Sequence, residues 1–450
     1  MLLVLLAATL SFALNWEYVY SAPSSTINNM LSVVEIPDGK LVFVGYSIDT
    51  LWLLETDSLG IVLRNRTFPE LQACYAIRAD TTIGSIIGIT GTADWAMSNA
   101  MFALYWPSTD SLICWAYNRY DMYMEGLSIA DTPDGGFVFA CCARDSTPPS
   151  YYIHVIKVSP PDWEPDWELS LPVPDAIWPF GLYCDPSGVT NLVGRGFGGD
   201  LFVRINALGD TVLTRNYGSL YYLEDIKPAY GGGYIVCTDL GYVIKIDTTG
   251  AVIWERHYSF DNSFKAIVPI PPDKYALTGW TTGGIWSDFL YMLVDSAGNL
   301  LDSFTYGTID TIEQGWGIWP CSNGDVVMAG RVSYSESGYG LGVRREVLDT
   351  AGIRENGVLP VSHYISIHPN PFNSSVSIYA PDGAEIEIFD INGRLVEEIP
   401  ALRGESAKPS STDVSGACRW TPDKSLGSGI YLVRAKIGDE TVTKRVVYLK

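Results

Sequence analysis

One plan of four short strands recurs seven times between residues 14 and 358, and this repetition restricts the fold more than any other feature. Each unit contains an apolar strand, a glycine-containing turn, a second strand that ends in a small residue, a loop, and two further strands. The second strands read DGKLVFVG, GSIIGITG, GGFVFACC, SGVTNLVG, GGGYIVC, DKYALTG and NGDVVMAG. Because four such strands cannot bury both faces alone, units of this kind stack around an axis. The pattern predicts an all-β fold with a seven-bladed β-propeller.

The small residues that end the second strands recur at separations of 42 to 53 residues. They are Gly45, Gly91, Cys141, Gly194, Cys237, Gly279 and Gly330. We expect them to let neighbouring sheets approach each other closely. On this argument Cys141 and Cys237 replace glycine because they are small, and not because a thiol is reactive.

The seventh unit lacks a fourth strand, because the repeat runs out after DTAGIRENG. The segment WEYVYS at Trp16–Ser21 resembles the fourth strand WERHYS at Trp254–Ser259. We therefore predict that the N-terminal strand completes the seventh blade and removes an open sheet edge.

The chain opens with the apolar stretch MLLVLLAATLSFA, which is too short to span a bilayer and is typical of a secretory signal peptide over residues 1–13. The net charge is −22, which disfavours binding to nucleic acid. Lysine and arginine number 19 before residue 365 and aspartate and glutamate 40, so nearly all of the excess lies there. Such an acidic field disfavours anionic partners and tolerates cationic or neutral ligands.

After a predicted linker at 359–368, the residues 369–450 carry a different pattern. The segment AEIEIFDINGRLVEEI indicates a hairpin around Asn392-Gly393, and SGIYLVRAKIGDETVTKRVVYLK indicates another around Gly438-Asp439. We expect a small β-sandwich of immunoglobulin-like type.

This C-terminal segment has a recognisable set of residues, which are Pro369, Asn370, Pro371, Phe372, Asn373, Gly393, Arg394, Gly429 and Tyr431. On these residues it resembles the C-terminal sorting domain of the type IX secretion system. The segment WTPDKSLGSG also resembles a turn in the immunoglobulin-like domain of flagellar hook-capping proteins. The sorting resemblance implies that the chain engages secretion machinery, crosses the outer membrane, and is either attached to the cell surface or released. It also implies that this domain is removed during secretion.

No motif for catalysis stands out. The sequence contains no C-x-x-C pair, no HExxH and no G-x-S-x-G, and of four histidines only His154 and His257 lie in predicted repeat strands. Gly194–Gly199 matches G-x-G-x-x-G, but a strand follows it where a phosphate-binding helix would have to begin. We expect no catalytic residue, no metal and no cofactor.

The loops between second and third strands leave the propeller on one face, and we expect any ligand to bind there. The nominated residues are Tyr46, Trp95, Arg144, Arg195, Asp239, Trp280, Trp286 and Arg331. Aromatic side chains beside charged groups can stack on sugar rings or bind peptide. The sequence therefore indicates an exported binding or adhesion protein without catalysis.

Two alternatives stay open. One is an extracellular hydrolase or lyase that acts on glycan or peptide from the same face, and the other is a structural component of a surface layer. Three or more ionisable side chains clustered in the central channel would favour catalysis, whereas a flat aromatic face would favour binding.

Overall fold

The computed structural model divides into two compact units, Met1–Asp349 and Thr350–Lys450, which are described separately. The structure describes the residues 16–23, 28–47, 50–72, 78–82, 86–92, 99–117, 122–146, 149–259, 261–282, 287–307, 311–334, 337–345, 347, 366–368, 374–381, 384–390, 393–399, 415–423, 426–437, 440–448 and 450. Within these residues we find no helix that is long and apolar enough to cross a membrane. The predicted signal peptide lies outside them, and so does most of the predicted linker.

The first unit consists of seven four-stranded antiparallel sheets. Its strands are β1 (Trp16–Tyr20), β2 (Asn28–Glu35), β3 (Leu41–Ser47), β4 (Thr50–Thr56), β5 (Val62–Gln72), β6 (Arg78–Thr82), β7 (Ile86–Thr92), β8 (Ala100–Trp106), β9 (Ser111–Tyr117), β10 (Met122–Asp131), β11 (Phe137–Ser146), β12 (Pro149–Val158), β13 (Pro165–Val173), β14 (Ile177–Cys184), β15 (Thr190–Gly196), β16 (Leu201–Ile205), β17 (Thr211–Asn216), β18 (Leu223–Pro228), β19 (Tyr234–Thr238), β20 (Tyr242–Ile246), β21 (Val252–His257), β22 (Asn262–Ile270), β23 (Lys274–Thr282), β24 (Ser287–Asp295), β25 (Leu300–Tyr306), β26 (Ile312–Pro320), β27 (Val326–Tyr334) and β28 (Ser337–Arg345).

The sheets follow the chain, so that blade 1 is β2-β3-β4-β5, blade 2 begins with β6, and each later blade takes the next four strands up to β25. Blade 7 is β26-β27-β28-β1. Each first strand contacts the first strand of the next blade, and β26 contacts β2. The fourth strands are the most exposed, as in β17 and β21. The first strands therefore form the inner ring of a closed propeller, and the predicted seven-bladed fold is confirmed.

The N-terminal strand closes the ring as predicted. Strand β1 pairs antiparallel with β28, from Trp16 opposite Arg344 to Tyr20 opposite Gly340. The Trp16 indole also donates a hydrogen bond of 3.0 Å to the carbonyl of Ser58 in blade 1. Because these contacts join the first and last blades, the strand acts as a clasp.

The apolar cores lie between neighbouring blades. One core packs Val42 and Leu53 of blade 1 against Ile87 and Met101 of blade 2, and the same arrangement recurs around most of the ring. The near-continuous apolar character of the second and third strands follows from this, since both of their faces are covered.

The small residues at the ends of the second strands are needed within their own sheets as well as between neighbouring sheets. A Cβ atom on Gly45 would lie 1.9 Å from the carbonyl oxygen of Asn29, and one on Gly279 would lie 1.8 Å from that of Ser263. Both oxygens belong to the first strand of the same blade, where a β-bulge shifts the register. The small residue thus accommodates the bulge within its own sheet.

Neighbouring blades also approach closely at these positions, because a glycine in the first strand of the next blade lies against the small residue. A Cβ atom on Gly126 of β10 would lie 2.6 Å from the carbonyl oxygen of Gly91 in blade 2. Cys141 and Cys237 do behave as small buried residues. Both are fully buried, and this burial raises the pKa of their thiols.

The second unit contains two sheets that share one apolar core, which includes Ile378, Ile388 and Trp420. Its strands are β29 (Ser366–His368), β30 (Val376–Pro381), β31 (Glu385–Asp390), β32 (Leu395–Ile399), β33 (Ser415–Trp420), β34 (Gly429–Ile437) and β35 (Glu440–Tyr448). The orders are β29-β30-β33 and β32-β31-β34-β35. Both predicted hairpins are present, as β31–β32 and β34–β35. The immunoglobulin-like topology remains a prediction.

Candidate functional site

Second strands end and first strands begin at the same end of each blade, because the two strands are antiparallel. We call this end of the first unit the loop face. Its register places Tyr46 opposite Asn29, and Arg331 opposite Gln314. Of the nominated residues, Trp95 and Trp286 lie outside the described residues. The other six can be placed.

Four charged side chains on the loop face form a closed ring of ion pairs, which we call the ionic square. Arg195 contacts Glu224 at 2.8 Å and Asp239 at 2.6 Å. Lys265 contacts the same two carboxylates, Glu224 at 2.6 Å and Asp239 at 2.8 Å. Ser263 donates a hydrogen bond to Asp239. The square joins blades 4, 5 and 6 and carries no net charge.

Burial and pairing act differently on the two carboxyl groups. Burial raises the pKa of Glu224, although Lys265 and Arg195 oppose the rise. For Asp239 burial also raises the pKa, but Lys265 and Arg195 outweigh it and the pKa lies below its ordinary value. Pairing therefore favours the ionised form of Asp239, whereas at Glu224 burial favours the neutral form against the pull of its two cationic partners.

β-Bulges place Glu224 and Lys265 in the square. Glu224 falls at the register shift between Leu223 and Asp225 in β18, and Lys265 falls at the equivalent shift in β22. The same bulge positions in β2 and β10 hold Leu31 and Leu127, which are buried. Two charges thus stand where blades 1 and 3 have leucine, which accounts for the need to pair them.

Two tryptophans flank the ionic square. The rings of Trp280 in β23 and Trp316 in β26 lie 5.1 Å apart with an interplanar angle of 50°. The Lys265 ammonium lies 4.7 Å from the Trp280 ring centroid and 5.7 Å from that of Trp316. Both side chains are partly buried. The lysine therefore fixes both indoles through cation–π contact while it closes the square.

Arg331 lies in β27 of blade 7, opposite Gln314 of β26. Its Nε donates a hydrogen bond of 2.8 Å to Oε1 of Gln314, and its Nη1 lies 3.5 Å from Oδ1 of Asn29. Burial lowers the pKa of this guanidinium, although the Tyr46 hydroxyl acts in the opposite direction. Tyr46 and Trp316 both pack against the core between blades 1 and 2.

The structure does not join Arg144 to this group. Its side chain is exposed and lies over the ring of Tyr151, 5.4 Å from the centroid, in blade 3. Arg195, Asp239 and Trp280 are brought together, and Arg331 follows on the next blade.

Several loop-face residues were missed by the sequence analysis. Phe197 is 79% exposed and packs edge-on against Trp178, while Tyr222 lies 5.6 Å beneath the Arg195 guanidinium. Glu224 and Lys265 were also missed. The charges in LEDIKP and NSFKAIVPI interrupt strands that are otherwise buried, and that was the available signal.

Beyond the loop face, the first strands surround a central cavity of about 290 Å³. Its lining includes Asp131, Tyr183, Trp319 and the ion pair of Asp225 with Lys227 at 2.9 Å. Burial raises the pKa of Asp131, and Lys227 opposes this. Phe180 lines the cavity and also lies 5.1 Å beneath Arg195, so the ionic square borders the cavity.

The remaining sequence motifs have structural explanations. Strand β16 follows the glycine-rich loop at 194–199, and a Cβ atom on Gly196 would lie 1.9 Å from the carbonyl oxygen of Ala176. His154 is buried and contacts the hydroxyl of Ser170 at 2.8 Å and Glu168 at 3.3 Å. Among the residues that the structure describes, no group of three His, Cys, Asp or Glu side chains could hold a metal.

In the second unit, four residues of the sorting motif are described, and Pro369–Asn373 lie outside the described residues. Gly393 has φ of +79° in the β31–β32 turn, and the Arg394 amide donates to Asp390 at 2.9 Å. The Tyr431 hydroxyl donates to the carbonyl of Gly427 at 2.8 Å. Gly429 begins β34.

Comparison with known families identifies this second unit. Residues 366–449 match the family described as secretion system C-terminal sorting domain. This segment is a type IX sorting domain. The chain is accordingly exported to the cell surface or beyond, and its sorting domain engages the secretion system.

Solved structures resemble the first unit in fold. Catalytically inactive virginiamycin B lyase from Staphylococcus aureus with quinupristin has a TM-score of 0.52 and 12% identity, over 73% of this chain and 99% of the other. The selenomethionine-substituted lyase from the same organism has a TM-score of 0.51 and 12% identity, over 74% and 99%. At this identity the likeness concerns fold alone. No curated protein sequence matches the chain.

Proposed function

We propose that the first unit is a secreted or surface-attached binding module whose ligand, a glycan or a peptide, occupies the loop face between blades 4 and 1. The observation that carries this proposal is the fixed placement of Trp280 beside the ionic square. Aromatic side chains lie along this part of the loop face on several blades, and they are Phe197, Tyr222, Trp280, Trp316 and Tyr46.

Preorganisation supports binding at this surface. Lys265 holds both indoles, and its own position is set by two carboxylates that a third blade also grips through Arg195. A ligand therefore need not order these side chains, which removes an entropic cost of roughly 0.5–1.5 kcal/mol for each one. The aromatic side chains of this surface also offer the apolar contact area that is typical of binding hot spots.

The ionic square supports a second candidate, a hydrolase or lyase. It brings four ionisable side chains together at the border of the central cavity, and the Trp280–Trp316 pair is tilted and does not form a flat platform. Clustered ionisable side chains were expected to favour catalysis and a flat aromatic face to favour binding, so both observations fit the catalytic alternative. Binding remains our first proposal, because each carboxylate already contacts both cations and would have to break an ion pair to exchange a proton with substrate.

The test uses the full chain on a glycan array and a peptide library. We expect Trp280→Ala to weaken the strongest binding by about 2 kcal/mol, the usual threshold for a hot spot. Arg256→Gln is the control, because Arg256 lies over Trp254 on the outer strand β21. If Trp280→Ala leaves every interaction unchanged, the loop face is not the binding surface.

The catalytic candidate is tested on the same ligands. Each bound ligand is incubated with the protein, and its covalent structure is followed by NMR. Binding without turnover is expected. Product formation that is lost in Glu224→Gln and kept in Arg256→Gln would favour the enzyme.

A further inference from the structure

Two arginines occupy equivalent places on the loop face and have contrasting surroundings. Arg195 and Arg331 each follow the glycine that ends a second strand. Arg195 is held by two carboxylates, Glu224 and Asp239. In the part of the chain that the structure describes, no carboxylate lies within 4 Å of the Arg331 guanidinium, whose hydrogen-bond partners are the side-chain oxygens of Gln314 and Asn29.

A partly buried guanidinium without a carboxylate is costly, since neutral amide oxygens compensate a desolvated cation only in part. Burial does lower the pKa of Arg331. Nε donates to the Gln314 oxygen and Nη1 to the Asn29 oxygen, which leaves the Nη2 group of the planar fork without a described acceptor. That fork matches the geometry of a carboxylate or sulfate group.

The neighbouring side chains indicate what the acid group is attached to. Gln314 lies opposite Arg331 in the register, and Trp316 is two residues further along the same strand, β26. The half-buried Tyr46 packs close by, opposite Asn29. Aromatic rings beside amide groups suit a sugar, whose rings present apolar faces and whose hydroxyls need hydrogen-bond partners.

We propose that Arg331 binds the acid group of an acidic saccharide, an inference that rests on the proposed function of the loop face. The excess negative charge of the first unit disfavours anions at long range. It is screened beyond about 8 Å at physiological ionic strength, so the groups within the site decide. The ionic square adds no net charge there. The acid group supplies a counter-charge to Arg331, and the sugar ring lies against Tyr46 and Trp316.

The experiment measures full-chain affinity for oligosaccharides that contain uronic acid and for their carboxyl-reduced counterparts, with sulfated oligosaccharides and with free-acid and C-amidated peptides as further arms. Native protein should bind an acidic saccharide at least about tenfold more tightly than its neutral counterpart, the effect of one charged hydrogen bond. Arg331→Gln should abolish this preference and retain the neutral affinity. Arg331→Lys keeps the charge without the fork and should retain part of the preference. Arg256→Gln should change nothing.

Several outcomes would overturn the inference. They are equal affinity for acidic and neutral saccharides, a preference that persists undiminished in Arg331→Gln, and selective binding of free-acid peptides instead. The proposed function fails separately, if Trp280→Ala leaves binding to every saccharide and peptide intact. If Trp280→Ala weakens neutral saccharide binding while Arg331→Gln has no effect on any ligand, binding at the loop face stands and the acid-group inference falls.

Discussion

The ammonium of Lys265 lies 2.6 Å from Oε1 of Glu224, and only 3% and 2% of these two residues is exposed. The pair joins the first strands of blades 5 and 6 at their bulges. The bulges in these two strands are therefore what brings the two charges into contact on the loop face.

Removing the lysine should be costly. Lys265→Met leaves Glu224 buried with Arg195 as its one remaining cationic contact, so we expect a loss of about 3–5 kcal/mol in the free energy of unfolding. Denaturant titration measures this. Lys40→Met is the matched control, because its pair with Asp38 is exposed and its longer contact to Glu55, at 3.7 Å, leaves that carboxylate paired with Arg64 at 2.9 Å. The substitution should cost less than about 1 kcal/mol. Equal effects of the two substitutions would contradict the role of burial.

Replacing both charges should cost less than replacing one. Glu224→Leu combined with Lys265→Leu restores the residue type that Leu31 and Leu127 provide at the same bulge positions. Apolar replacement of a buried ion pair is often neutral or stabilising. We expect the double variant to be more stable than Lys265→Met, and a further loss of stability would show that the bulge pocket is shaped for charge.

Asp239 should make stability depend on pH in one direction. Its folded pKa lies below the ordinary value of 3.8, so its contribution is fully present above that value and is lost as the pH falls through the folded pKa. The stability difference between native protein and Asp239→Asn should be constant from pH 6 to 8 and shrink below about pH 4. A difference that grows in acid would contradict the assignment. Thermal unfolding at each pH provides the measurement.

The clasp can be tested by deleting residues 1–20. The deletion leaves β28 as an open edge and removes the Trp16 and Tyr20 hydrogen bonds to blade 1. We expect a lower Tm and self-association in size-exclusion chromatography. Glu17→Gln, which keeps the strand and changes one side chain, should behave like the native protein. A deleted chain that stays monomeric with an unchanged Tm would show that blade 7 closes without β1.

The sequence was sufficient to predict the blades, because their turns follow local rules. Gly39 and Gly324 have φ of +78° and +90°, the left-handed conformation that the recurring turn between first and second strands requires. The clasp was predictable from likeness between two strands. The bulges were not predictable, since a register shift is set by pairing between strands. The positions of Glu224 and Lys265, which lie at two of the bulges, were missed for the same reason.

The small residues illustrate the same limit. Gly279 was correctly identified as a point of close approach to the neighbouring sheet, where Gly315 lies against its carbonyl. The tighter contact was missed, because it is with the carbonyl of Ser263 in its own blade. Similarly, Arg195 and Asp239 were nominated as separate loop residues, whereas the structure pairs them at 2.6 Å.

Hydrogen–deuterium exchange of the full chain, with and without the tightest ligand from the array, tests the central claim most directly. We predict protection of backbone amides at 237–239, 280–282 and 330–333, which lie on the loop face. Protection confined to the opposite end of the blades, at the turns 36–39 and 132–136, would contradict it.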